Sequence, residues 1–417
     1  MVFLFWKNSK QKVFNLKNDG HRHFDSLLLR QYPCTVHRKL STVHRPPSMK
    51  NLFSEFPQVS KADWLRQITK DLKDKPLEDL SWSMSNGLVV SPFVHADDFE
   101  SPPKALSDRP NTWQICEDVK VGDLAVANRH ALDALEGGAE GLCFWLDRPL
   151  EIADFEHLMQ DIHLDFIGIH FAGSAVSDNP GMVLGLLEYL AKQRGLSCNQ
   201  LSGSLAYDPV PVSKIVDWRY LADLLEYARD RFPQFKIIKV GVVEEKELSV
   251  LIRNANTYLQ KLSERGIPIE DIAKVVQFSV PLGKSYFVEI ARLRALKLLW
   301  FNLLNAWEAP IQSPFIAVNF QPDAYSDDLY TNMIRATTMA MAAVQGGAGQ
   351  LTVLPYDAGR EEVASYPQAF GRRIARNVQH LLKMESALDE VADPAAGSYY
   401  IETLTRQLAE KAWGEFY

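Results

Sequence analysis

Residues 141–171 read GLCFWLDRPLEIADFEHLMQDIHLDFIGIHF. Short apolar runs, GLCFWL (141–146) and FIGIHF (166–171), flank a longer stretch that contains a brief LEI near 150. Short apolar or β-branched runs that alternate with helical stretches predict βα units on a parallel sheet. The rhythm continues through LSGSLAYD (201–208), FKIIKVGV (235–242), VVQFSVPL (275–282), FIAVNFQ (315–321) and QLTVLPY (350–356). Counting LEI as the second, that gives eight candidate strands. Between them, residues 286–300 place Phe287, Ile290, Ala291, Ala295, Leu298 and Leu299 on one helical side and Glu289, Arg292, Arg294 and Lys297 away from it. A second helix, 329–345, stops at Gly346-Gly347, residue types that favour a left-handed helix end. The fold class predicted is α/β, a (β/α)8 TIM barrel with an N-terminal extension.

A chain of 417 residues with 47% apolar and 23% charged residues can build a sizeable core, and its length admits one large barrel as readily as two or three domains. The net charge of −7 argues against a general nucleic-acid or anionic-membrane binder. No apolar run reaches the roughly 18 residues of a membrane span. Charge is unevenly placed: residues 1–48 hold nine Lys/Arg against Asp19 and Asp25, which leaves residues 49–417 at −14. Cys34, Cys116, Cys143 and Cys198 lack CxxC spacing, which suits a reducing compartment.

Residues 1–48 thus form a basic leader without a folded role, or else a mitochondrial targeting segment. Localisation follows: cytoplasmic in the first case, mitochondrial matrix in the second. From Met49 to residue 120 the chain reads as an arm and dimer-contact segment. Within it, Ser60 is placed to cap a helix with Asp63 three residues on, and Leu65, Ile68 and Leu72 make its apolar stripe. The barrel is expected over 121–417.

Barrels carry their chemistry at the C-terminal ends of the strands. Those positions hold Asp147, Ala172-Gly173, Asp208, Glu244-Glu245, Gly283, Gln321 to Asp323 and Tyr356-Asp357, an acidic rim. No histidine lies between 171 and 379, and His170, alone in an apolar strand, fits a core position. Asp147, Asp208, Glu244, Asp323 and Asp357 could together hold a divalent cation, but carboxylates at loop starts more commonly cap helices or face solvent. No metal site is therefore expected. GGAEG (137–141) and GGAGQ (346–350) follow helices and precede strands, so they are turn glycines rather than phosphate loops. Large strand residues, Phe144, Trp145, His170, Tyr207 and Phe320, predict a packed barrel axis.

Four blocks carry a resemblance: YFVEIARLRALKLLW (286–300), MIRATTMAMAAVQGG (333–347), GRRIARN (371–377) and DPAAGSYYIE (393–402). With SGS (202–204) and EGLCFWL (140–146), they make residues 50–417 similar to the methylmalonyl-CoA mutase family, adenosylcobalamin-dependent acyl-CoA mutases. The resemblance implies an acyl-CoA-binding barrel followed by a cobalamin domain. It also implies which positions should act, and several differ. Ala206 stands in GSLAYD where the family's substrate-contacting Gln belongs, and only Asp208 matches. Val243 or Glu244 replaces a histidine that meets the thioester carbonyl. In AVNFQ, Ala317 replaces Arg, Asn319 replaces His, and Gln321 is kept; DVKV (118–121) replaces a segment with the substrate-facing tyrosine.

Loss of one donor to a thioester oxygen typically costs roughly 100- to 1000-fold in rate, and an acidic rim should repel coenzyme A. The family's cobalt-ligating Asp-x-His-x-x-Gly has only a near match, Asp161 and His163 with Phe166 in place of Gly, and the cobalamin domain is expected to be absent. The chain thus looks like the barrel part of a non-catalytic small subunit. No catalytic residue and no cofactor are assigned to it. Gln321 and Asp208 are retained substrate-binding positions whose expected role is packing and hydrogen bonding. The implied partner is a homologous catalytic large subunit, which would carry adenosylcobalamin and interconvert (R)-methylmalonyl-CoA and succinyl-CoA. The alternatives are an active acyl-CoA mutase, a metal-dependent barrel enzyme, or a stand-alone scaffold.

Overall fold

The computed structural model describes residues 57–416 except 74, 85, 86, 214, 242–247, 361 and 363. The leader (1–48) and the expected loop residues Val243, Glu244 and Glu245 lie outside the described residues. Two compact units divide at Pro103 and Lys104.

The second unit is a closed barrel of eight parallel strands. In chain order they are β1 (Gln114–Lys120), β2 (Gly141–Trp145), β3 (Gly168–Ala172), β4 (Ser202–Tyr207), β5 (Gln234–Gly241), β6 (Val276–Leu282), β7 (Phe315–Phe320) and β8 (Gln350–Thr352), and β8 closes onto β1. Seven of these are the strands expected from the sequence. The eighth corrects the reading: Leu150 is in a loop, Ile152 opens a helix, and the missing strand is QICEDVK at 114–120. The barrel therefore begins before residue 121, inside the stretch read as an arm. Two adjacent carboxylates in this strand, Glu117 and Asp118, hid its period.

Outside the strands, this unit's principal helices are α2 (Leu124–Glu136), α3 (Ile152–Leu158), α4 (Pro180–Gln193), α5 (Trp218–Arg231), α6 (Leu248–Ser263), α7 (Ile269–Val275), α8 (Tyr286–Ala306), α9 (Leu329–Gly346), α10 (Gln368–His380) and α11 (Tyr399–Phe416); α1 (Lys61–Leu72) belongs to the first unit. α9 ends where expected, with Gly347 in the left-handed region at φ 86°. α8 differs from expectation. Its polar side is not solvated: Glu289, Arg292 and Arg294 are all buried, because α11 packs over it as a further layer. Arg294, 0% exposed, is held by Asp393 and by Glu402 at 2.6 Å. Asp393 also accepts from the Leu106 N–H at 2.7 Å, and Glu402 from that of Gly397 at 3.0 Å.

The blocks that carry the resemblance thus meet one another as framework. In GRRIARN, Arg376 pairs with Glu117 of β1, Arg372 lies 3.6 Å from the same carboxylate, and His130 of α2 is 2.7 Å from it. That network explains a charge on the outer face of β1. In SGS, Gly203 lets β4 approach β3 so closely that a Cβ there would overlap the Ile169 carbonyl.

In the first unit, the Ser60 hydroxyl accepts the Asp63 N–H and donates to its carboxylate, so the expected cap forms. Trp64 packs edge-on against Phe93 at 5.6 Å. No residue of α1 is buried, however, and among the described residues of this unit Val90 is the buried apolar one.

Candidate functional site

Side chains on a strand alternate between faces, and the outer face is identified by its helical partners. Phe171 of β3 meets Phe155 of α3 at 6.0 Å, and Phe278 of β6 meets Trp300 of α8 at 5.2 Å. Phe144 stacks on Phe171 and shares that outer layer, and Phe320 has the parity of Phe278's register partner Ile316. These rings therefore do not fill the axis, contrary to the expectation of a packed bore. The inner face carries Gln114, Cys116, Asp118, Cys143, His170, Ser204, Lys239, Gln277, Ser279, Ala317 and Asn319 by register.

The lower half of this axis is closed. The His170 ring sits 2.7 Å from Gln114 Oε1 and 2.9 Å from Ser204 Oγ. The Gln114 amide nitrogen donates to the Glu140 carbonyl at 3.2 Å, which leaves its oxygen to accept from His170 Nε2–H, so Nδ1 accepts from Ser204. Gly141 and Gly168 leave room for the Gln114 side chain; a Cβ at either would strike it. A bulge in β4 between Ser204 and Tyr207 accompanies a further cross-link, Gln277 Nε2 to the Leu205 carbonyl at 3.1 Å.

Above this plug the axis is hollow. Asp118, Cys143, Lys239, Ser279 and Ala317 are enclosed by the strands yet keep accessible surface, and Trp145 stands 37% exposed at the lip. Burial pushes the Asp118 carboxyl up to about 6, against the Trp145 indole N–H and Cys143 thiol that donate to it and the Lys239 charge nearby. Burial likewise raises the Cys143 and Cys116 thiols, so neither is a ready nucleophile. Burial lowers His170 to about 4, so it is neutral at pH 7.

These two groups oppose each other in acid. Between pH 6.5 and 4 the unfolded chain protonates His170 while the folded one does not, so stability present above 6.5 is lost by at most about 3 kcal/mol as pH falls. Asp118 has the reverse sign: between about 6 and 3.8 the folded chain takes up the proton first, and stability rises as pH falls. Urea denaturation at pH 7 and pH 4.5 should therefore show a larger acid loss in Asp118→Asn and a smaller one in His170→Asn than in the parent. Equal acid losses in all three proteins would refute the assignment.

Among the described residues the expected rim carboxylates do not converge. Asp147 is exposed, and its carbonyl accepts from Ser174 Oγ at 3.0 Å. Asp323 is exposed, and Asp357 is buried against Gly371 of α10. Asp208 accepts from Tyr258 Oη at 2.6 Å and from the Gly241 N–H at 3.0 Å, bracing the β4 end to α6 and β5. Gln321 is half-buried, its N–H donating to the Leu282 carbonyl at 3.0 Å. Among the described residues no three His, Cys, Asp or Glu side chains are grouped to hold a metal ion.

Residues 150–417 match the family profile described as Methylmalonyl-CoA mutase. The chain belongs to that family. It is 32% identical over 404 residues to the methylmalonyl-CoA mutase small subunit of Porphyromonas gingivalis, covering 88% of this chain and 64% of that protein. It is 27% identical over 415 residues to the small subunit of Streptomyces virginiae (89% and 65%), and 25% identical over 424 residues to the large subunit of the same organism (86% and 56%). The chain thus spans less than two thirds of the length of these relatives.

Within the methylmalonyl-CoA mutase fold, Ala317 and Asn319 both face the hollow, and Ala206 lies in the β4 bulge. His163 does not fit a cobalt ligand: it stacks on Phe166 at 5.5 Å in the loop before β3, at the closed end of the barrel. Sequence reasoning missed Asp118, Cys143 and Lys239 as a group. The two lysines of the FKIIKVGV run, Lys236 and Lys239, were the available signal.

Proposed function

We propose that this chain is the barrel part of a small subunit of a heterodimeric methylmalonyl-CoA mutase, supporting a catalytic large subunit rather than performing the reaction. The observation that carries this reading is the upper bore. Ala317 and Asn319 face it from β7, where the family resemblance implies Arg and His, and alanine offers no donor to a thioester oxygen or a carboxylate. Loss of such donors costs roughly 100- to 1000-fold each. Asp208 and Gln321, the retained positions, act as a brace and a strand-end contact. The barely buried first unit adds support: apolar side chains such as Leu65 and Ile68 gain stability only when something covers them, as a partner-contact arm would be.

In this reading adenosylcobalamin belongs to the large subunit, where it supplies the radical that interconverts (R)-methylmalonyl-CoA and succinyl-CoA. This chain's residues hold the partner through an interface between related barrels. Among the described residues no helix is long and apolar enough to cross a membrane, and the reading places the complex in the cytoplasm, or in the mitochondrial matrix if the leader is a targeting segment.

The test is co-purification and turnover. The chain alone with adenosylcobalamin should show no mutase activity. Mixed with a homologous large subunit, it should co-elute and raise that subunit's activity or stability. Turnover by the isolated chain would overturn the reading, and failure to co-elute would favour a stand-alone scaffold.

A further inference from the structure

Helix α9 shows water a face without charge. Asn332, Ala336, Ala340 and Ala343 lie on its buried side. On the opposite side Tyr330 and Ile334 are 67% and 69% exposed, Thr338 is exposed, and Thr337, Met341 and Gln345 are half-buried. These six residues recur at helical spacing and make one stripe along the helix. The single charged residue of α9, Arg335, lies off the stripe, where its guanidinium donates to the Ala324 carbonyl at 2.9 Å. Both threonines are satisfied within the helix: Thr337 Oγ1 donates to the Met333 carbonyl at 3.1 Å and Thr338 Oγ1 to the Arg335 carbonyl at 3.0 Å. An outer helix ordinarily turns charge to solvent, as α5 does with Asp223, Glu226, Arg229 and Asp230. Large exposed apolar side chains on an uncharged stripe mark a contact surface.

Two properties of the stripe select its occupant. The first is charge. Residues 49–417 carry a net −14, so two copies of this chain repel each other in most approaches, and the α9 stripe is a face on which they meet without opposing like charges. The second is shape. The bulky residues, Tyr330 and Ile334, sit in the first half of the stripe, and the smaller or more pliant Thr337, Thr338 and Met341 in the second. About a two-fold axis the two helices run antiparallel, which sets the bulky half of each against the slighter half of the other; parallel pairing sets bulk on bulk. We propose that the outward face of α9 is a self-complementary contact surface whose partner is the α9 of a second copy of this chain. A helix face about 27 Å long and about 10 Å wide falls short of the roughly 800 Å² per partner of a standard interface, so the dimer belongs in the micromolar range. The contact goes beyond the small-subunit reading and does not depend on it, since the chain forms it alone.

Sedimentation velocity of the full chain between about 1 and about 200 µM should show a reversible monomer–dimer equilibrium. Ile334→Arg and Thr338→Arg replace solvent-facing side chains, so each should keep the parent's melting temperature at low concentration. Each should also raise the dimer dissociation constant at least about tenfold, because an arginine placed near the axis loses water and faces its own copy. Val212→Arg, at an exposed position outside α9, should leave the dissociation constant unchanged. A chain that is monomeric throughout the range would overturn the proposal. So would a dimer that Ile334→Arg and Thr338→Arg leave intact, or one that Val212→Arg breaks as well. If the parent stays monomeric alone and Ile334→Arg instead abolishes co-elution with a homologous large subunit, the face belongs to that subunit and the proposal fails.

Discussion

Arg294→Ala should cost the barrel about 3–5 kcal/mol, the range for a broken buried ion pair. The substitution leaves Asp393 and Glu402 facing each other across a cavity, without the guanidinium that both contact. The loss would not stay local. Asp393 holds the Leu106 N–H ahead of β1, and Glu402 holds that of Gly397 at the entry to α11, so the helix covering α8 and the lead-in to the barrel loosen together. Urea denaturation followed by far-UV dichroism should show a lower midpoint. The triple variant Arg294→Met, Asp393→Asn, Glu402→Gln removes all three charges and should recover much of the loss, because the penalty comes from unpaired charge more than from the missing pair. A single variant within about 1 kcal/mol of the parent would show that water reaches the triad.

Gly203→Ala is the second large effect. The added methyl would overlap the Ile169 carbonyl oxygen and press on the Phe235 ring, and neither backbone nor ring can yield without parting β4 from β3. Overpacking usually costs about 1–3 kcal/mol; a clash with strand backbone belongs at or above the top of that range. Gly185→Ala is the matched control. It lies inside α4 with open space where its Cβ would stand, so it should gain roughly 0.5–1 kcal/mol. If both substitutions shift the denaturation midpoint alike, the close approach of β3 and β4 is not what Gly203 provides.

The barrel was legible where β-branched and aromatic residues dominate a strand. FKIIKVGV and VVQFSVPL tolerate little ambiguity, because their buried apolar residues outweigh the inward-facing Lys239, Gln277 and Ser279. QICEDVK was not legible, for two separable reasons. Glu117 points outward but is paired with Arg376, far away in sequence, and hydrogen-bonded with His130 of the helix that follows. Asp118 points inward but meets a hollow in place of a packed core. No local pattern announces either compensation. LEI near 150 failed in the opposite way: three residues suit a strand, yet Ile152 begins a helix that carries Phe155 onto the barrel's outer face.

The site was legible where a resemblance set an expectation and not elsewhere. Ala206, Ala317 and Asn319 could be recognised at positions where a resemblance set an expectation. Lys239 and Asp118 could not, since their sharing one bore depends on which face of β5 and β1 turns inward. The family blocks proved informative in another sense. Arg294, Asp393, Glu402, Arg376 and Gly203 are framework, so a chain can keep these signatures without keeping the chemistry of its relatives.

The Gln114–His170–Ser204 plug closes the base of the bore, and Trp145 stands exposed at the other end. An occupant of the space above His170 that came and went at that end would have its arrival and escape rates set by the mouth. A macromolecule seated over that mouth would trap an occupant already inside and shut out one that came late. Order of assembly would then determine content, a form of kinetic memory that equilibrium affinities alone do not describe.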